Sequence, residues 1–126
     1  MVCLLPVDPD ASAARLREAL AAQAGSDLAV IVSDSFGRPW REGITNVAIG
    51  VAGMRPLADY RGETDPHGFS LAASVLATAD ELAAAAELVM GKIAGIPVAI
   101  VRGYPYERAA GRGRDLILPP ERDLFR

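Results

Sequence analysis

A helical repeat of apolar residues over Leu71–Ile93 is the feature that most constrains how this chain can fold. The apolar residues there follow one another at steps of three or four, which places them on one face of an α-helix. They are Leu71, Val75, Ala79, Leu82, Ala86, Val89 and Ile93. Gly91 and Gly95 interrupt the pattern near its end. We therefore expect a long amphipathic helix whose apolar face needs a second layer to pack against.

A shorter helix is predicted near the start of the chain, with recognisable signals at both ends. Asp8 can cap it, Pro9 suits the first helical position and Asp10 complements the positive N-terminal end of the helix. Gly25 supplies the stop. An apolar stripe runs between these signals: Ala13, Leu16, Leu20 and Ala24.

Short apolar runs between the helices predict strands. Their ranges are 2–5, 28–32, 44–54 and 96–101, and the glycine- and proline-containing stretches 33–43 and 55–69 are expected to be loops. Helices that follow strands in this way indicate an α+β fold with a mixed sheet. No repeat or linker divides residues 1–126, so we expect one domain.

Composition excludes several classes of protein. Among the 126 residues, 51% are hydrophobic and 23% charged, and the formal net charge is −3, which disfavours binding of nucleic acid by a basic surface. No apolar run approaches the roughly 20 residues that a membrane span needs, and the N-terminus lacks a signal peptide's basic region. A single cysteine favours the reducing cytoplasm. With one His and one Cys, a His/Cys zinc site lacks ligands.

Asp34 and Ser35 are the first candidates for chemistry, because they follow a predicted buried strand and open a loop. Ligand sites of open α/β sheets lie beyond the carboxyl ends of strands. A carboxylate next to a hydroxyl suits Mg²⁺ or Mn²⁺, which prefer hard oxygen donors. An equally simple interpretation is that Asp34 caps a turn.

Two further groups could bind anions. Arg38 and Arg41 flank Trp40 and could clamp a carboxylate or phosphate; the alternative is a surface loop anchored by a buried tryptophan. The string LVMGKIAG, residues 88–95, places two glycines around the only lysine, Lys92. It lacks the glycine and hydroxyl spacing of a P-loop. The polar loop 59–68 is interpreted most simply as a solvated turn with aspartate caps.

Three strings together resemble a known family: SDSFGRPWREGITNVAIGVAGMRPLADYRG, ADELAAAAELVMGK and GIPVAIVRG. The chain is similar, from about Leu4 to Phe125, to the coenzyme F(420)-0:gamma-glutamyl ligase family. The resemblance implies ligation of L-glutamate to the deazaflavin coenzyme F(420)-0, with GTP and Mn²⁺ or Mg²⁺. GTP would activate a carboxylate as an acyl phosphate, which the glutamate amine then attacks.

The resemblance also implies roles for individual residues. The Asp-Thr metal motif of the family matches Asp34 and Ser35, where serine keeps the hydroxyl. The nucleotide-binding loop of the family falls on 88–95, with Met90, Gly91, Lys92 and Gly95 as its candidate contacts. Arg38, Trp40 and Arg41 are weaker candidates for substrate binding, and no catalytic residue is assigned.

The match is to the C-terminal part of the ligase domain, and the GVDxSN metal motif of the family's N-terminal half has no counterpart here. We expect a homodimer, as in the family, and a separate N-terminal half or flavin-binding domain is a further expected partner. The principal alternative is a truncated, non-catalytic remnant or dimerisation module of the same fold. An unrelated anion-binding α/β domain is the third hypothesis.

Overall fold

The computed structural model describes residues 4–123. In chain order it contains helix α1 (Pro9–Ala24), strands β1 (Val30–Arg38), β2 (Arg41–Ala52), β3 (Ala58–Asp59) and β4 (Val75–Leu76), and helix α2 (Thr78–Met90). Two short 3₁₀ helices, Gly113–Leu116 and Pro120–Arg122, follow. Within this part of the chain, no helix is both long and apolar enough to cross a bilayer.

The centre of the fold is a long antiparallel hairpin of β1 and β2. Arg38 pairs with Arg41, so only Pro39 and Trp40 form the turn, and Trp40 adopts the left-handed backbone with φ of 56° that such a tight turn requires. The prediction of a loop over 33–43 is therefore wrong. Polar residues there, such as Ser33 and Ser35, continue the strand because β2 supplies hydrogen-bonding partners along its length.

Helix α1 confirms the terminal signals read from the sequence. The side chain of Asp8 accepts a hydrogen bond from the amide of Ala11 at 2.9 Å, and Gly25 ends the helix in the left-handed conformation. The helix lies close against β2 at Gly50, where an added Cβ would stand 2.2 Å from the carbonyl oxygen of Pro9. The glycine therefore allows α1 to approach the hairpin backbone.

Helix α2 is shorter than the predicted helix over 71–93. Residues 60–74 instead form backbone hydrogen bonds with one another: the amide of Gly62 donates to Leu71, and that of Tyr60 to Ser74. These bonds, with the β3–β4 pair, hold the first part of the apolar repeat outside the helix. At the other end, Gly91 terminates α2, and Ile93 is fully exposed.

The apolar run 96–101 is not a strand, although its sequence predicts a buried one. Within residues 4–123 no strand runs beside it, and its larger side chains are between about half and three-quarters exposed: Ile96, Val98, Ile100 and Val101. The predicted strand over 2–5 is also absent at Leu4 and Leu5; residues 2 and 3 lie outside the described part.

The core is small and lies between the hairpin and α2. Its fully buried large side chains are Val51 and Met54, packed with Ala48 and Ala79. Two helices beside two antiparallel strand pairs confirm the α+β class. The parallel neighbour that a mixed sheet would require does not occur among the described strands.

Candidate functional site

Asp34 and Ser35 lie in the middle of β1 rather than in a loop, where they pair with Val47 and Asn46 of β2. The carboxylate of Asp34 is exposed, and its Oδ1 accepts a hydrogen bond from the backbone amide of Ser35 at 2.7 Å. Both residues are therefore held on the rigid part of the hairpin, and the carboxylate keeps free acceptor capacity.

The structure brings the two predicted functional segments together at Ser35. The Nζ of Lys92 donates a hydrogen bond to the Oγ of Ser35 at 2.6 Å, across 57 positions of sequence. Lys92 lies near the strand because α2 ends at Met90 and Gly91, its C-cap, leads directly into Lys92. A candidate cation ligand and a candidate nucleotide contact thus form one site at the C-terminal end of α2.

Two residues that the sequence did not single out, Asn46 and Glu87, join the strand and the helix that carry this site. Asn46, which is buried and faces Ser35 across the hairpin, donates from Nδ2 to Oε2 of Glu87 at 2.9 Å. Asn46 is the one amide residue of β2, and Glu87 lies one turn before Gly91. In the sequence, only these positions could have pointed to a role for Asn46 and Glu87, and they do so weakly.

The remaining residues of the predicted nucleotide loop are placed by the end of α2. Met90 is the last helical residue, and the amide of Gly91 donates to the carbonyl oxygen of Glu87 at 2.9 Å. Gly95 follows Lys92 with a left-handed φ of 68°. The glycines therefore turn the chain on either side of Lys92.

The predicted substrate residues lie at the tip of the hairpin. Arg38 and Arg41 flank the turn, and Trp40 is 94% exposed, so the alternative of a buried tryptophan anchor is wrong. The Nη2 of Arg38 donates to the carbonyl oxygen of Glu42 at 2.9 Å, while its Nε is buried without a partner. Three residues of extended strand, about 10 Å, separate Ser35 from Arg38. The tip and the Lys92 site are neighbouring, separate groups.

The donor chemistry of Asp34 and Ser35 fits a hard divalent cation, because both offer oxygen. The two side chains give two ligands, and Mg²⁺ requires about six. Among residues 4–123 no group of three or more His, Cys, Asp or Glu side chains could hold a metal ion. Further ligands would therefore have to be water, phosphate oxygens or groups from another polypeptide.

Other polar groups serve the structure. In the loop 59–68, Asp65 accepts from the amides of His67 and Phe69, which confirms an aspartate-capped turn. Asp59 accepts hydrogen bonds from the side chain and from the backbone amide of Arg61. These bonds, the side-chain bond most of all, lower the pKa of the Asp59 carboxyl to about 2. Two open surface clefts have volumes of about 660 and 770 Å³, and neither is lined by Asp34, Ser35 or Lys92.

Comparison with known proteins gives a consistent result. A family model described as F420-0:Gamma-glutamyl ligase matches residues 1–103. The chain is 50% identical over 125 residues to the Coenzyme F420:L-glutamate ligase of Methanothermobacter thermautotrophicus, covering 97% of this chain and 50% of that protein. Proteins of the same name from Methanocaldococcus jannaschii and Methanopyrus kandleri are each 47% identical, over 98% and 99% of this chain and 50% and 52% of their own lengths. The chain therefore spans about half the length of the curated relatives it matches.

Proposed function

The chain belongs to the F420-0:Gamma-glutamyl ligase family, and on that premise we propose that it takes part in GTP-dependent ligation of L-glutamate to coenzyme F(420)-0. The observation that carries the proposal is the 50% identity with a Coenzyme F420:L-glutamate ligase over 97% of this chain. The single cysteine supports a cytoplasmic setting for the reaction.

In the proposed reaction, GTP transfers its γ-phosphoryl group to a carboxylate of F(420)-0 and GDP leaves. The amine of L-glutamate then attacks the acyl phosphate, and an amide forms as phosphate and a proton are released. A divalent Mn²⁺ or Mg²⁺ ion, held by Asp34 and Ser35, would neutralise charge on the transferring phosphoryl group. Lys92 is the cation of the proposed nucleotide loop, and its ammonium offers three donors to phosphate oxygens. The glycines at 91 and 95 leave room for the nucleotide to approach the backbone.

The hairpin tip is proposed to bind the acidic substrates. Arg38 and Arg41 present two guanidinium groups on either side of an exposed aromatic ring. Guanidinium groups bind carboxylates through paired hydrogen bonds, and a planar ring system can stack on an indole. F(420)-0 and L-glutamate are both anionic, which matches this charge.

The proposed active form includes more polypeptide than these residues. Leu88, Val89 and Ile93 are 86%, 69% and 99% exposed, and the larger residues of the apolar run 96–101, which follows in the chain, are about half or more exposed. Apolar surface of this extent is typical of an interface. We propose that a second copy in a homodimer, or a polypeptide equivalent to the other half of the relatives, covers it and completes the GTP site.

A second candidate function rests on the same exposed apolar surface: a non-catalytic dimerisation module of the ligase fold. Light scattering and GTP binding on one sample distinguish the two. A stable dimer that does not bind GTP, alone or with the complementary half, favours the module.

The ligation assay uses the 126-residue chain with F(420)-0, GTP, L-glutamate and Mn²⁺, with and without a complementary half taken from a relative, and detects the product by mass spectrometry. A product heavier by one glutamyl unit supports the proposal. Asp34→Asn should abolish it without loss of fold, whereas Glu18→Gln, which neutralises an exposed carboxylate on α1, should not. Ligation that survives Asp34→Asn would contradict the metal assignment; no product from any combination would contradict the ligase function.

A further inference from the structure

In the contact between Lys92 and Ser35, a positively charged side chain occupies the oxygen that is proposed to bind a cation. The ammonium donates to the hydroxyl oxygen at 2.6 Å, which is the atom that would have to coordinate a cation. Among residues 4–123, Lys92 forms no ion pair with a carboxylate. Its positive charge is therefore directed at a neutral oxygen, one residue after Asp34, whose side chain is exposed.

The backbones on both sides of this contact are held in place while the helix and the hairpin stay folded. Ser35 is fixed in β1 opposite Asn46, and Asn46 is tied to α2 through Glu87 at 2.9 Å. Gly91, at the end of the same helix, leads directly into Lys92. Only the flexible lysine side chain can leave the site without disturbing the backbone.

We propose that the Lys92 ammonium and a divalent cation compete for the hydroxyl of Ser35, so that cation binding at Asp34 and Ser35 displaces Lys92 and frees its charge for an anion. This inference rests on the assignment of Asp34 and Ser35 as cation ligands under the proposed function. A divalent cation and an ammonium about 4 Å apart repel each other, and even in bulk water this repulsion corresponds to more than a tenfold loss of affinity. Each therefore weakens the binding of the other at this site.

The first test measures binding of Mn²⁺ alone to the full chain, by electron paramagnetic resonance of the free ion and without nucleotide. Lys92→Met should bind Mn²⁺ at least tenfold more tightly than the unchanged chain, and Lys92→Arg, which keeps the charge, should not. Arg15→Met is the matched control, because it removes one exposed positive charge on α1, away from the site. Asp34→Asn placed in the Lys92→Met background should remove the gain.

The second test uses the fact that Lys92 is the only lysine. Labelling with ¹⁵N-lysine gives one side-chain ammonium signal, which should shift when Mg²⁺ is added and should stay unchanged in Asp34→Asn. Circular dichroism checks that each variant is folded.

The outcomes separate this inference from the proposed function. If Asp34→Asn lowers Mn²⁺ affinity but Lys92→Met binds no more tightly than Arg15→Met, competition is overturned and the cation site stands. A Lys92 signal that does not respond while Mg²⁺ binds overturns it as well. Failure of every variant to bind Mn²⁺ overturns both the competition and the assignment of the cation ligands.

Discussion

The backbone amide of Val51 donates a hydrogen bond of 3.0 Å to Oδ1 of Asp10, which joins the first turn of α1 to the end of β2. The same carboxylate also accepts from the amides of Gly113 and Arg114. Asp10 was expected to complement only its own helix. In the structure it accepts from donors in two other elements, β2 and the 3₁₀ helix Gly113–Leu116, so its charge holds the two ends of the described fold together.

Asp10→Asn should destabilise the chain by about 2 kcal/mol, because a neutral amide accepts hydrogen bonds more weakly than a carboxylate. Chemical denaturation followed by circular dichroism measures this change. Glu18→Gln makes the same substitution of an acid by its amide on the exposed side of α1 and should change the free energy of unfolding by less than about 0.5 kcal/mol. Equal effects of the two variants would refute the role given to Asp10.

The contribution of Asp10 should also depend on pH. Burial raises the pKa of this carboxyl, but hydrogen bonds from Val51, Gly113 and Arg114 outweigh burial and hold the pKa below its ordinary value of 3.8. A carboxyl whose folded pKa is depressed stabilises the fold above the unfolded pKa, and this stabilisation is lost as the pH falls through the folded pKa. Urea unfolding should therefore show a constant difference between the unchanged chain and Asp10→Asn above pH 5, and a shrinking one below pH 4. A difference independent of pH would contradict this.

Asn46 and Glu87 should show measurable coupling, because the hydrogen bond between them is partly buried. In a double-mutant cycle, Asn46→Ala and Glu87→Ala should be non-additive by about 1–2 kcal/mol. Thermal or chemical unfolding of the four proteins supplies the values. Strict additivity would mean that the contact does not join α2 to the hairpin.

Gly50→Ala should cost about 3 kcal/mol or more, because its Cβ would stand 2.2 Å from the carbonyl oxygen of Pro9 and backbone would have to move. Gly37→Ala is a matched control in the partner strand β1, where nothing lies within 4 Å of the added Cβ. The melting temperature of Gly50→Ala should be clearly lower than that of Gly37→Ala. A melting temperature for Gly50→Ala equal to that of Gly37→Ala would show that α1 does not pack as described.

Asp59 should remain almost fully ionised at pH 4, since the hydrogen bonds from the side chain and amide of Arg61 lower its pKa to about 2. An aspartate with the ordinary pKa of 3.8 is about 40% protonated at that pH. Carbon NMR of the carboxyl group measures the ionised fraction. Arg61→Gln should move the titration of Asp59 toward the ordinary value, and an unchanged titration would exclude Arg61 as the cause.

Local signals in the sequence predicted local structure well. The cap at Asp8 and the stop at Gly25 depend on atoms a few residues away, and both are confirmed. The helix predicted over 71–93 began too early because backbone bonds to residues 60–63 compete for its first part. Apolarity over 96–101 indicated burial, but a run of apolar residues does not specify which surface buries it.

The candidate site was found partly from motifs in the sequence and partly from contacts that only the folded structure shows. Asp34, Ser35 and Lys92 were selected from motifs, yet no local pattern could bring Lys92 to Ser35 across 57 positions. The residues next to Asn46 and Glu87 in the sequence are typical of a strand and a helix and give no sign of a site. Only the packing of α2 on β2 shows that the two side chains are hydrogen-bonded. Whether these residues bind metal or nucleotide stays a prediction.

The bond from the Gly113 amide to Asp10 closes a loop of 103 residues, and this has a consequence for the order of folding. Closing a loop of that length costs about 4 kcal/mol of chain entropy. The β1–β2 turn, by contrast, joins residues that are adjacent in sequence and forms early. The segment around Gly113 should therefore be added to a hairpin and helix that already exist, and on the way to unfolding it should detach before them.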